Sequence, residues 1–379
     1  MIEGQPLRVL MTSTSYPRDA ADWRGVFIRH LAQALAHQQN IRLAVWAPPG
    51  ELPVGVNAAT LPDETEWLAR LMADGGISHL MRHRRWRALF TALKLLRMLG
   101  DAYRRRAAVD IYHINWLQCA LPLPDNRVPA LVSVLGNDLK LLRLPLMRRL
   151  LRRVMRQRNV AICPNADWMH APLENAFGDL APVIPVAFGV DSMWYAIQRS
   201  PNLDIPLWLA VTRITVDKLG PLFEWSEPLF RNGTRQLHLF GPMQEPTCVP
   251  DWIHYHGAAA PEQLAREWFP RACGLITLSQ HAEGRPQVML EAMAAGLPIL
   301  ASRMPAHAAI VVDGETGALC DSASTYADAL QALEDAGINQ RFGTAARRWA
   351  QQEIGTWDDC ADRYISIYRR LLGNAPHDR

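Results

Sequence analysis

Hydrophobic positions along the chain fall into two kinds of pattern. Short, nearly unbroken apolar runs alternate with longer stretches in which apolar residues recur every three or four positions. The runs of the first half are LRVLMTS (7–13), IRLAVWAP (41–48), VDIYHINW (109–116), PALVSVLG (129–136), NVAICP (159–164) and PVIPVAF (182–188). Runs of this length without polar alternation read as strands buried on both faces. The loop SYPRDAADWRG follows the first run, and a helical pattern, VFIRHLAQALAHQ (26–38), follows the loop. Strand, loop, helix and strand in that order predict a parallel sheet covered by helices. Near residue 200, QRSPNLDIP is polar and carries prolines, and it reads as a linker. The alternation then restarts with LWLAVTR (207–213), RQLHLFG (235–241), WIHYHG (252–257), GLITLS (274–279) and LPILAS (297–302). The last segment, TWDDCADRYISIYRRLLG (356–373), is an amphipathic helix opened by Thr356.

Two α/β units of similar size predict two Rossmann-like domains facing across a cleft: residues 1–195, residues 206–355, and a C-terminal segment 356–379. The length agrees, since 379 residues exceed what one compact core usually holds. Hydrophobic residues make up 49% and charged residues 20%, as in soluble globular proteins. No apolar run reaches the roughly 18 residues needed to span a bilayer. MIEGQPLRVLMTSTSYP lacks a basic segment followed by an apolar one, so no secretory signal is expected. The six cysteines lie far apart with no C-x-x-C pair, which predicts reduced, mostly buried thiols in a cytoplasmic protein and no zinc site.

The net charge of +3 conceals an asymmetry: residues 1–190 carry 24 Lys and Arg against 15 Asp and Glu, and residues 191–379 carry 16 against 22. The basic excess concentrates in segments 82–106 and 140–158. In the second segment Arg148, Arg149, Arg152, Arg153 and Arg156 recur at helical spacing between apolar residues. This stripe reads either as a solvated helix face or as a contact for anionic lipid headgroups. Nucleic acid is disfavoured, because no recognition-helix or aromatic-interleaved pattern accompanies the arginines.

Doubly wound sheets bind ligands at the carboxyl ends of their strands. Arg213 ends one strand and Lys218 lies in the loop after it, a pair of cations suited to a diphosphate. After GLITLS the chain turns, and a helix starts near Pro286. The amides of Gly284, Arg285, Gln287 and Val288 would form an anion site at the helix start. Glu283 just before the helix suits sugar hydroxyls. Glu291 inside it, among Met289, Leu290, Ala292 and Met293, suits the paired hydroxyls of a ribose. DGETGAL (313–319) reads as a structural turn.

EGRPQVMLEAMAAGLP resembles the Glu-x7-Glu signature of retaining glycosyltransferases of family 4, which have the GT-B fold. AVTRITVDKLG resembles the diphosphate site of that family, with one extra residue between Lys218 and Gly220. VIPVAFGVDSMWY resembles its interdomain stretch, and the last segment its C-terminal helix, which crosses back to the N-terminal domain. The loop before the first helix resembles the family's glycine loop at Gly25. The resemblance implies that Arg213 and Lys218 hold the diphosphate, Glu283 the donor sugar and Glu291 the ribose. It implies that Gly25 lets its loop approach the phosphates and that the nucleobase lies near residues 254–258. No Asp-x-Asp occurs, so no metal or other cofactor is expected beyond a substrate of the UDP or GDP type. One position departs: Leu135 stands where many members have histidine, followed by Gly136, Asn137 and Asp138. His113, Asn115 and Asp138 are acceptor-side candidates, although His113 also reads as a core histidine. The expected activity is transfer of a hexose to a lipid-linked or polysaccharide precursor, with an anionic membrane surface as a partner. Three rivals stand beside it: a non-catalytic sugar-nucleotide-binding subunit, a phosphorylase and an epimerase. The absence of G-x-G-x-x-G disfavours a dehydrogenase.

Overall fold

The structure is a computed structural model and describes residues 5–19, 22, 24–77, 85–105, 108–281 and 283–373. It divides into two compact units, residues 1–188 with 357–379, and residues 189–356.

The first unit is built on six parallel strands: β1 (Leu7–Thr12), β2 (Ile41–Trp46), β3 (Asn57–Ala58), β4 (Ile111–Asn115), β5 (Ala130–Val134) and β6 (Val160–Pro164). Their order is β3-β2-β1-β4-β5-β6, so the winding reverses between β1 and β4. Alternate residues feed opposite faces. Val9, Met11, Ile111 and Leu131 join the core under helices Val26–His37 and Trp357–Gly373. Leu10, Tyr112, Ile114 and Val132 join the core under helices Pro62–Ala73, Arg85–Arg105 and Met147–Met155. The C-terminal helix is therefore part of this unit's own core, with Tyr364 and Tyr368 fully buried.

Segment 182–188 does not form the expected strand and touches the sheet through a single bridge, Ile162 to Val183. Only Ile184 and Val186 donate to β6 carbonyls, each at 2.9 Å. Pro182 and Pro185 interrupt the run and have no amide hydrogen to give.

The second unit repeats the winding with β7 (Leu207–Val211), β8 (Gln236–Phe240), β9 (Ile253–Tyr255), β10 (Gly274–Thr277), β11 (Ile299–Ser302) and β12 (Gly317–Cys320), in the order β12-β11-β10-β7-β8-β9. Strand β12 lies in the stretch expected to be only a turn. Gly314 (φ 79°) makes the turn, and Gly317 enters the sheet so closely that a Cβ there would sit 2.1 Å from the Ile299 carbonyl oxygen. The boundary falls after Phe188, ahead of the expected linker. The reason is packing: Trp194 lies 4.7 Å from the Phe269 ring, and Arg199 donates to the carbonyls of Gly296 (2.6 Å) and Ala272 (2.8 Å). Five cysteines are buried and Cys248 is exposed. No helix among the described residues is long and apolar enough to cross a membrane.

Candidate functional site

The carboxyl edge of β7 and β10 brings Arg213, Lys218 and Glu283 of the second unit together. After β7 the chain runs through Arg213 to Thr215, whose side chain caps the short helix Val216–Leu219 by accepting from the Lys218 amide at 3.3 Å. Leu219, the extra residue of the motif, is buried in the core. Gly220 then takes φ 52°, where a Cβ would come 2.1 Å from the Leu278 carbonyl oxygen. Glycine is required both by the backbone angle and by this approach of the β7 loop to the end of β10. On the other side Gly241 (φ 138°) lets the end of β8 close on β7, since a Cβ there would lie 1.7 Å from the Thr212 carbonyl oxygen.

The largest difference from the sequence expectation concerns Lys218. Its ammonium donates to the carboxylate of Glu283, with the two side chains 10% and 19% exposed. The residues assigned to diphosphate and to sugar are therefore partners in this state. Burial lowers the Lys218 pKa, Glu283 opposes that, and the nearby Arg213 charge adds to it. Arg213 reaches Gln244 Oε1 at 3.4 Å. His307, unmarked by any sequence signal, is buried within electrostatic reach of both Lys218 and Glu283. Its Nδ1 lies 2.8 Å from the Ser302 carbonyl, and Ser302 Oγ donates to Ser279 at 2.7 Å.

Pro286 is the residue before the helix, not its first residue, and the helix runs Gln287–Ala294. Gly284 is buried and Arg285 is half-buried. The Gln287 side chain is committed to the Gly189 carbonyl at 2.7 Å, so only its amide faces the helix start. The amides of Gln287 and Val288 have no acceptor among the described residues. Glu291 is half-buried with Met289, Leu290, Ala292 and Met293 fully buried around it. Its carboxylate has no hydrogen-bond partner among the described residues, and its backbone carbonyl accepts from Ala295 at 2.9 Å. Burial, and then the negative charge of Asp191, pushes its carboxyl up to about 7. Asp191 cannot relieve it, because its own carboxylate caps helix Ser192–Tyr195 by accepting from the Met193 amide at 2.9 Å.

The segment expected near the nucleobase ends β9. His254 and His256 are exposed, and both stack on His238, with centroids 4.7 Å and 5.1 Å away. Gly257 (φ 72°) has open space where a Cβ would stand.

In the first unit Gly25 (φ 70°) precedes helix Val26–His37 and packs against Ser15, whose carbonyl carbon and oxygen a Cβ would approach to 2.8 Å. Its requirement for glycine is met inside the unit. His113 does not serve as an acceptor contact. It is fully buried, with Nδ1 2.5 Å from the Tyr368 hydroxyl and Nε2 3.0 Å from Ser133 Oγ, and burial lowers its pKa to about 3. Strand β4 turns it towards the C-terminal helix, which its sequence neighbourhood could not reveal. Asn115 and Asp138 are buried at the carboxyl edge of β4 and β5. Asn115 Nδ2 donates to Thr12 at 3.1 Å and Asp138 Oδ2 accepts from the Leu117 amide at 3.1 Å. Asn115 Oδ1 and Asp138 Oδ1 have no partner among the described residues, and the same holds for the side-chain oxygens of Gln118 and Asn165, which the sequence did not mark. Burial pushes the Asp138 carboxyl up to about 7, against the pull of its backbone hydrogen bonds. Leu135 packs part-buried on the core beneath the C-terminal helix.

Of the arginine stripe, Arg148 and Arg152 are drawn back to the carbonyls of Asn175 (2.9 Å) and Ala176 (2.8 Å), and Arg152 also pairs with Asp179. Arg149, Arg153 and Arg156 are exposed. Residues 82–84 and 106 of the other basic segment lie outside the described residues.

Two parallel sheets with this strand order, one of them followed through to a C-terminal helix, have the fold of the GT-B glycosyltransferases. Sucrose-phosphate synthase from Thermosynechococcus elongatus superposes with a TM-score of 0.70 at 17% identity, over 97% of this chain and 99% of that one. HepE from Anabaena in complex with UDP and glucose gives 0.65 at 13% identity, over 96% and 99%. Residues 222–335 match the family described as Glycosyl transferases group 1. In sequence, the chain is 30% identical over 140 residues to D-inositol 3-phosphate glycosyltransferase of Arthrobacter sp. (strain FB24), covering 34% of this chain and 33% of the relative. It is 27% identical over 143 residues to spore coat protein SA of Bacillus subtilis (strain 168), covering 37% and 36%. The matched stretch is thus about a third of each relative's length.

Proposed function

We propose that the protein is a retaining, metal-independent glycosyltransferase of family 4. It would move a hexose from a nucleotide diphosphate sugar of UDP or GDP type to a hydroxyl of a lipid-linked or polysaccharide precursor at the inner membrane face. One observation carries the reading: the edge of β7 and β10 holds Lys218 coupled to Glu283 and, a short distance along the same helix start, the unpartnered Glu291. A half-buried carboxylate without a partner is costly, and two ribose hydroxyls donating to it would remove that cost. Lys218, Arg213 and the amides of Gln287 and Val288 would neutralise the diphosphate. As Lys218 turns to the phosphate, Glu283 is released to accept from sugar hydroxyls. In transfer the bond from the anomeric carbon to phosphate oxygen breaks and the acceptor oxygen bonds on the same face. The leaving phosphate takes the acceptor proton. Asn115 and Asp138, as buried as His113, would meet an acceptor hydroxyl only once the edge of β4 and β5 opens, and the exposed arginines Arg149, Arg153 and Arg156 suit anionic headgroups.

A thermal-shift screen against nucleotide diphosphate sugars, with donor hydrolysis measured in the same samples, tests this. The matching donor at 100 times its dissociation constant stabilises by about 2.7 kcal/mol. Stabilisation without hydrolysis or transfer to any acceptor would favour the non-catalytic sugar-nucleotide-binding subunit, for which Leu135 is the motive. No stabilisation by any donor would remove both.

A further inference from the structure

Helix Arg85–Arg105 exposes apolar side chains near its start, and further along the same outward face carries Arg97, Asp101 and Arg104. Ala88, Leu95, Leu99, Ala102 and Tyr103 are buried against the sheet. Leu89, Phe90 and Leu93 are exposed by 52%, 71% and 56%, and at 100° per residue Phe90 and Leu93 project away from the buried stripe while Leu89 flanks it. A helix lying on a sheet in water normally turns a polar face outward. This one exposes an aromatic ring and two leucines side by side, which marks an interaction surface. The same helix carries Lys94 and Arg97, which with Leu93, Met98 and Asp101 line a shallow cavity of about 450 Å³. A second exposed apolar group, Leu144, Leu146 and Leu150, lies around the start of helix Met147–Met155, interleaved with exposed Arg148, Arg149 and Arg153. Both helices pack on the same core and so cover the same face of the sheet. Segment 140–158 contains eight Lys and Arg and no acidic residue.

We propose that this face of the first unit inserts into an anionic lipid bilayer, with Leu89, Phe90 and Leu93 as an apolar anchor and the arginines around Leu150 contacting headgroups. The charge alone would suit any acidic surface. Bulky, exposed apolar side chains beside the cations select a surface that has both anionic headgroups and hydrocarbon beneath them. The proposal goes beyond the arginine contact above, because it assigns the lasting part of the attachment to a different helix and to burial. It does not depend on the assigned sugar chemistry.

The test is flotation of the full chain with vesicles of phosphatidylcholine and phosphatidylglycerol, at low and at high salt. The parent should float with anionic vesicles and keep part of that binding at high salt, where headgroup attraction is screened. A Leu89→Ser, Phe90→Ser, Leu93→Ser variant should lose about ten-fold or more in partitioning and all of the salt-resistant fraction. Arg149→Glu, Arg153→Glu, Arg156→Glu should lose the low-salt part. All six positions are exposed, so both variants should melt as the parent does and bind nucleotide diphosphate sugar unchanged. A failed donor screen with intact flotation would defeat the glycosyltransferase reading alone. Flotation unchanged in the serine variant, or a parent that never floats, overturns this proposal. Binding to acidic polypeptide equal to that on vesicles overturns it too.

Discussion

The two sheets share one strand order yet differ at their carboxyl edges. The second unit gathers charge there: Arg213, Lys218 and Glu283 meet beside glycines that let the loops close, and Glu291 follows on the next helix. The first unit places neutral, buried oxygens of Asn115 and Asn165 and the raised carboxyl of Asp138 at the same topological position. A single backbone plan therefore supports two chemistries, because the residues just beyond each strand decide what the edge recognises. Charged groups there suit a phosphorylated donor, and acceptor oxygens suit hydroxyls.

The comparison is broken most severely by removing a cation from the second edge. Arg213→Ala or Lys218→Ala should lower transfer by about 100- to 1,000-fold with the circular dichroism spectrum retained, since in the proposed reading each would face the leaving diphosphate. Turnover within a few-fold of the parent would show that the edge does not stabilise that charge.

The two glutamates should separate next. Glu291→Ala is expected to weaken nucleoside diphosphate binding by roughly 1.5–3 kcal/mol, whereas Glu283→Ala leaves it nearly intact and lowers turnover. Calorimetric titration distinguishes them, and equal losses would reverse the assignment. The unliganded protein provides a second check. The Glu291 carboxyl is raised from 4.5 to about 7 in the folded state, so its contribution is complete below 4.5 and is lost as pH rises through 7. Glu291→Gln should remove that part of the pH dependence of unit melting.

In the first unit, His113→Phe should destabilise by about 1–3 kcal/mol, because Ser133 and Tyr368 lose their shared partner. Transfer per folded molecule should not change. Its pKa is depressed from 6.5 to about 3, so the stability it contributes is present above 6.5 and falls away towards 3. A variant that melts as the parent does but transfers poorly would return His113 to the acceptor site.

The smallest effect is expected at Leu135, where leucine can neither donate nor accept a hydrogen bond. Transfer should survive without a histidine there, and a 6-deoxyhexose donor should be favoured over the matching hexose. Leu135→His should move the preference towards the hexose. A parent that prefers the full hexose contradicts the deoxy-sugar reading.

Much of this was legible from residues alone. Apolar runs of six to eight residues marked ten of the twelve strands, since buried parallel strands cannot be polar on either side. They missed β3, only two residues long, and β12, hidden in a glycine turn. The spacing of Glu283 and Glu291 placed one acid before a helix and the other inside it, as the helix Gln287–Ala294 has them. What the sequence could not determine was who touches whom. Lys218 and Glu283 are 65 positions apart, and His113 meets Tyr368 across 255. Such pairings depend on which strand ends become neighbours and which way each side chain leaves its strand, and both are settled only when the sheet closes and its helices pack. The same holds for Phe90: a helix pattern can show that a residue is apolar, but only packing shows that it stays exposed.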